Sequence, residues 1–329
     1  MATLYGPEHV APQTILAAKV GVLGYGGQGH AHALNLKDSG CAVRVGLHDG
    51  SKSRMRAEDH GFVVGSVAEI AQWADVLMFC TPDVPMRHIY TEGVAPHLRP
   101  GQTILFAHGF NIVYGLIEPP DFVDVALVSP KGPGKRLREE YQRGSGLAGL
   151  VAVHRDASGK ALETALAYAW GIGCARVGLL ATTFREETET DLFGEQTVLC
   201  GGIPELIKAG FETLVAAGFQ PEVAFFECMH ETKLIVDLLY EGGLEHMRRS
   251  ISDTAEWGGY EVGPRVVGPE ARAAMAEALA AIQDGSFARK IVAEMDGGGA
   301  QMRRYREAEA DHPVQDASRA MREMMGLEP

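Results

Sequence analysis

Residues 19–40 read KVGVLGYGGQGHAHALNLKDSG, and the fold follows from how this stretch divides. Residues 19–24 form a short β-rich run. Residues 28–39 have helical periodicity and stop at Gly40. Between them, Gly24, Gly26 and Gly29 occupy the glycine positions of GxGxxG, with Tyr25, Gly27 and Gln28 as the intervening residues. Between a strand and a helix that pattern has a physical meaning. The first glycine permits a tight turn, the second lets backbone approach a pyrophosphate, and the third lets the helix sit close to the sheet. The phosphates then lie on the free N–H groups at the helix start. A glycine turn in an ordinary α/β sheet would carry the same residues, so the flanking sequence has to decide.

Outward from this loop, residues 42–47, 76–80, 103–107, 123–128 and 150–153 are nearly continuous apolar runs, as in strands covered on both faces. They alternate with amphipathic stretches, which predicts an α/β fold with a mostly parallel, doubly wound sheet. Near Thr182 the character changes. Residues 205–217, 224–240, 270–283 and 287–295 have helical spacing, and strand-like runs disappear. Two domains are expected: residues 1–182, dinucleotide-binding, and residues 183–329, all-helical. The charged tail after the DGGG at 296–299 is expected on the surface.

Lys and Arg number 30 against 43 Asp and Glu, a net charge of −13, which repels phosphate backbones and disfavours nucleic-acid binding. No apolar run approaches the roughly 18 residues of a membrane span. The start, MATLYGPEHV, has no secretory pattern. The five cysteines are an odd number without CxxC, which fits reduced thiols rather than disulfides or a zinc site. A cytoplasmic protein with no membrane partner is expected.

The end of the second strand is where a dinucleotide's 2′ position is read. Here His48 and Asp49 are followed by Ser51, Lys52, Ser53 and Arg54. Two hydroxyls and two cations suit a 2′-phosphate, so NADPH is expected over NADH; Asp49 is the dissenting residue. Further along, Asp191 and Glu195 are four residues apart, as are Glu227 and Glu231. On a helix each pair shares a face, and such like-charge pairs cost about 0.2–0.5 kcal/mol in an isolated helix. Four carboxylates from two helices match the oxygen donors that two Mg²⁺ ions prefer, although solvated acidic faces have the same spacing. His108 and Lys131 follow predicted strand ends, where α/β sheets bind ligands. His30 and His32 do not share a helix face and read as structural.

Taken together these pieces resemble the ketol-acid reductoisomerase family, from about residue 12 to 325. GYGGQGHAHALNLKDSG at 24–40, AHGFNI at 107–112 and PKGPG at 130–134 resemble its cofactor-side motifs. ETETDLFGEQ at 187–196, LCGG at 199–202, FECMHETKLIVDL at 226–238 and SISDTAEWG at 250–258 resemble its metal and substrate motifs. The resemblance implies a two-step reaction: a 2-hydroxy-2-alkyl-3-oxo acid such as 2-acetolactate binds two Mg²⁺, an alkyl group migrates, and NADPH reduces the product. It implies that Asp191, Glu195, Glu227 and Glu231 hold the metals and that Ser252, with Glu231, holds substrate. His108, Lys131 and Glu187 would assist proton movement, and Asp83, His108 and Gly134 would join the cofactor site. It also implies a knotted helical domain and an interlocked homodimer whose sites are shared between chains.

Some residues depart from the family pattern. Lys135 stands where His is usual and His48 where Arg is common. Cys80-Thr81-Pro82-Asp83 replaces Leu-Leu-Pro-Asp, and Met229 and Thr232 replace leucines. None removes an implied ligand, but they leave room for a paralogue with a shifted substrate. Two other classes compete: a metal-independent β-hydroxyacid-type NADP dehydrogenase, and a non-enzymatic nucleotide-sensing or scaffold module.

Overall fold

A computed structural model describes residues 2–327. The chain divides into two compact units, Met1–Thr190 and Asp191–Pro329. The division falls inside the helix Phe184–Gly194, about eight residues beyond the expected boundary at 182.

The first unit is built on one sheet of nine strands. They are β1 (Leu4–Tyr5), β2 (Lys19–Leu23), β3 (Ala42–Gly46), β4 (Val63–Gly65), β5 (Val76–Phe79), β6 (Thr103–Phe106), β7 (Asp124–Pro130), β8 (Gly149–Arg155) and β9 (Leu179–Ala181). Their spatial order is β1-β9-β8-β7-β6-β5-β2-β3-β4. The six strands from β7 to β4 are mutually parallel, in the order characteristic of dinucleotide-binding sheets. β8 then returns antiparallel to β7, and β1 lies antiparallel to β9. The direction of winding reverses between β2 and β5, which opens a crevice at their carboxyl ends.

The apolar runs are continuous because both faces are covered. Val20, Val22, Met78, Leu105, Ala126 and Val128 pack in one core with the helices Gly27–Asp38 and Ala161–Gly171. Leu23, Leu77, Phe79, Ile104, Phe106 and Leu127 alternate with them and form the core of the opposite face. His32 lies inside the first core, fully buried, with Nδ1 2.9 Å from the Tyr168 hydroxyl. Burial pushes its imidazole down to about 3, which agrees with a structural histidine.

The second unit is helical. Its main helices are Gly202–Ala216, Glu231–Arg249, Asp253–Val266, Pro269–Gln283, Ser286–Asp296, Ala300–Ala310 and Val314–Met324. The helix expected over 224–240 is observed, with a π-helical turn inside it. Pro221–Phe225 is followed by a π-helical turn at Phe226–His230, and Glu231–Arg249 continues with a break at Gly243, where φ is 76°. The tail differs from expectation. Val314 and Ala317 of its last helix are buried against Phe211, Ala224 and Phe225. Among the described residues no helix is long and apolar enough to cross a membrane.

Candidate active site

The glycine-rich loop lies at the carboxyl end of β2. Gly24 has φ of +95°, and a Cβ there would sit 2.7 Å from the Cys80 carbonyl oxygen at the end of β5. A Cβ on Gly29 would lie 2.2 Å from the Gly24 carbonyl oxygen, so only glycine lets the helix start this close to the turn. Gly134 meets the loop from the other side, its Cβ position 2.1 Å from the Gly27 carbonyl oxygen. The Gln28 side-chain amide donates to the Gly132 carbonyl at 3.0 Å. Gly26 and Gly27 are different: a Cβ on either would meet nothing within 4 Å. Gly26 caps the helix Gly27–Asp38 without a side chain, so the first N–H groups stand bare toward that space. This fits an anionic pyrophosphate.

Tyr25 turns inward. Its ring is 1% exposed, its hydroxyl lies 2.8 Å from His60 Nδ1, and burial raises the phenol to about 12. Only its main chain faces the loop. Arg56 donates to the Tyr25 carbonyl at 2.7 Å and so ties the helix Arg54–Asp59 to the glycine loop. Past β3, His48 is exposed, with Nδ1 2.7 Å from the Asp49 carbonyl oxygen. The Ser51 hydroxyl accepts from the Ser53 N–H at 3.3 Å. The Arg54 guanidinium is 3.5 Å from Glu58 and donates to the Val64 carbonyl at 3.4 Å.

A second group of side chains gathers at the ends of β6 and β7. His108 follows β6, Lys131 follows β7, and Glu187 comes from the helix Phe184–Gly194. Glu187 is fully buried. One of its oxygens accepts from the Gly109 N–H at 3.1 Å; the other accepts from the Ser129 hydroxyl at 2.9 Å and from Lys131 Nζ at 3.2 Å. His108 places Nε2 4.0 Å from Glu187 and Nδ1 3.9 Å from Asp83. Asp191 follows Glu187 by one turn of the same helix. His108, Glu187 and Asp191 each offer a donor atom, and these atoms lie within 4.8 Å of one another.

Glu195 opens a π-helical turn, Glu195–Leu199, and Glu227 lies in another; both are exposed, as is Glu231. Such turns recur at functional positions. Ser252 caps the helix Asp253–Val266, its hydroxyl accepting from the Ala255 N–H at 3.2 Å.

Two residues that sequence reasoning did not single out belong here. Ser129 contacts Glu187 directly. Buried Asn111 donates to the Asp83 carbonyl at 2.9 Å and so ties down the start of the helix Asp83–Ile89. Asn111 lies within the AHGFNI stretch but was not picked out, and the partners of the two lie 58 and 28 residues away.

A mostly parallel sheet with this strand order and a bare glycine-rich helix start defines a protein of the dinucleotide-binding class. Comparison with known proteins narrows it. Residues 14–178 match the family model described as acetohydroxy acid isomeroreductase, NADPH-binding domain. Residues 184–327 match ketol-acid reductoisomerase, C-terminal domain. The chain belongs to the ketol-acid reductoisomerase family. A solved NADH-preferring ketol-acid reductoisomerase from an uncultured archean is 41% identical over 98% of both chains, with a TM-score of 0.95. A semialdehyde dehydrogenase NAD-binding protein from Cupriavidus necator is 18% identical over 81% of this chain and 99% of its own, with a TM-score of 0.62. A putative oxidoreductase from Jannaschia is 16% identical over 81% and 97%, with a TM-score of 0.60. These last two share the fold alone.

Proposed function

We propose that this chain converts 2-acetolactate, or 2-aceto-2-hydroxybutyrate, into the 2,3-dihydroxy-3-alkyl acid, as in branched-chain amino-acid biosynthesis. The observation that carries the reading is the buried Glu187, held by Ser129, Lys131 and the Gly109 N–H, with His108 and Asp191 beside it. Residues 1–182 would bind the cofactor. Residues 183–329 would carry the metal and substrate groups and the dimer contact.

Asp191 and Glu195 from one helical segment, and Glu227 and Glu231 from another, are the residues that would hold two Mg²⁺ ions. Their all-oxygen set suits a hard cation. When bound, the ions supply Lewis acidity to the substrate oxygens and the reduced nicotinamide supplies a hydride. The protein's own groups manage the protons. The C2 hydroxyl must lose a proton as the alkyl group leaves C2 for C3, and the new hydroxyl at C3 must gain one. Lys131 and Glu187, 3.2 Å apart, form a pair able to pass that proton, and His108 lies next to it. Ser252 and Glu231 would fix the substrate, with the helix N-terminus behind Ser252 favouring its carboxylate.

A homodimer is part of this reading. The helix Glu231–Arg249 buries only Met247, and Asp253–Val266 buries nothing, while Tyr240, Leu244 and Trp257 are at least 70% exposed. Apolar surface of that extent on a soluble helical unit asks for a partner. A second chain would also bring further carboxylates to each site.

The cofactor is proposed to be NADPH, on the strength of Ser51, Ser53 and Lys52 at the end of β3. NADH is the competing choice, because Arg54 is engaged with Glu58 and a 41% identical relative prefers NADH. Exhaustive EDTA treatment tests the metal part. Acetolactate turnover should vanish and return with Mg²⁺; turnover that persists would favour a metal-independent β-hydroxyacid-type dehydrogenase.

A further inference from the structure

The carboxylate torsion of a glutamate has no strong preference of its own, because rotation about its last sp³–sp² bond is broad. At Glu187 the plane must therefore be set by its hydrogen-bond partners. The Gly109 N–H holds one oxygen at 3.1 Å from fixed backbone. The other oxygen is shared by Ser129 and Lys131. These two partners are not equivalent. Lys131 reaches from a flexible four-carbon stem and is 35% exposed. Ser129 is 4% exposed and lies on β7, where it pairs with Leu150 of β8. Its hydroxyl has one rotatable bond from a backbone anchored in the sheet.

We infer that Ser129 is a positioning residue: its hydroxyl fixes the plane of the Glu187 carboxylate, so that the Lys131–Glu187 pair faces substrate in a single orientation. This rests on the proton-handling role proposed above for Glu187 and Lys131. Without the hydroxyl, one oxygen keeps its backbone donor and the other keeps only the ammonium at the end of its long stem. The carboxylate then rocks, and fewer encounters have the geometry for proton transfer. Substrate and nicotinamide contacts are untouched, so the loss falls on kcat rather than KM.

The test is steady-state kinetics with acetolactate, Mg²⁺ and NADPH on Ser129→Ala, Ser129→Cys and Ser129→Thr, with Glu187→Gln as the control. Ser129→Cys keeps the size of the side chain while replacing a strong donor with a weak one, so it remains informative if Ser129→Ala fails to fold. Ala and Cys should lower kcat roughly tenfold, with both KM values within about twofold. Thr, which keeps the hydroxyl, should recover most of the rate. Wild-type kcat in Ser129→Cys, or equal losses in Thr and Cys, would overturn the inference, provided that Glu187→Gln is inactive. Wild-type turnover by Glu187→Gln would instead overturn the proton-transfer reading on which it rests.

Discussion

Replacing His32 should change how stability depends on pH. In the folded protein the imidazole is fully buried, its Nδ1 is 2.9 Å from the Tyr168 hydroxyl, and its Nε2 has no hydrogen-bond partner among the described residues. Burial holds its pKa at about 3, against 6.5 in the unfolded chain. Because the folded state refuses the proton that the unfolded state takes up, acid favours unfolding. Stability falls as pH drops below 6.5 and continues to fall toward 3. At pH 5.5 the unfolded imidazole is protonated about ten to one, which stabilises the unfolded state by about 1.4 kcal/mol; at pH 7.5 the same term is below about 0.1 kcal/mol. Urea unfolding should be followed by tryptophan fluorescence in a Trp257→Phe background, which leaves Trp73 and Trp170 in the same unit as His32. Between pH 7.5 and 5.5 the His32 protein should lose about 1.4 kcal/mol more than His32→Gln. An identical pH response in both would show that His32 accepts a proton in the folded state, and the burial argument would fail.

The glycine loop makes a paired prediction. Gly29→Ala places a Cβ against the Gly24 carbonyl and should cost about 1–3 kcal/mol of stability along with cofactor binding. Gly26→Ala meets no protein atom, so its melting temperature should match the wild type while NADPH binding weakens roughly tenfold; calorimetry and cofactor fluorescence separate the two. Ser51→Asp should lower kcat/KM for NADPH by at least about tenfold and spare NADH, and unchanged NADPH use would remove Ser51 from the 2′-phosphate site.

Much of the first unit was legible because a strand buried on both faces needs a continuous apolar run, and β2, β5, β6, β7 and β8 have one, while in β3 Arg44 interrupts it. The short strands β1, β4 and β9 span two or three residues each, too few for any period to register. In the tail, the contacts of Val314, Ala317, Met321 and Met325 sit at helical spacing, but small and flexible residues among many charges give a weak stripe. The loop glycines were readable in type and order, and Gly29 sits as close to the turn as the motif requires. Tyr25 was not readable, since only the fold shows its ring turned toward His60. Ser129 and Asn111 escaped for a related reason. A hydroxyl at a strand end and an amide in a short helix acquire meaning only when distant chain segments meet them. Glu195, Glu227 and Glu231 were readable as spaced pairs, and all three are exposed.

The central claim is that the carbon skeleton rearranges before it is reduced. It is tested most directly by NMR of the product formed from 2-acetolactate carrying ¹³C in the methyl group on C2, with Mg²⁺ and either nicotinamide cofactor. The label should appear in a methyl group on C3 of 2,3-dihydroxy-3-methylbutanoate. A labelled methyl still attached to C2, in 2,3-dihydroxy-2-methylbutanoate, would mean simple ketone reduction and would contradict the account.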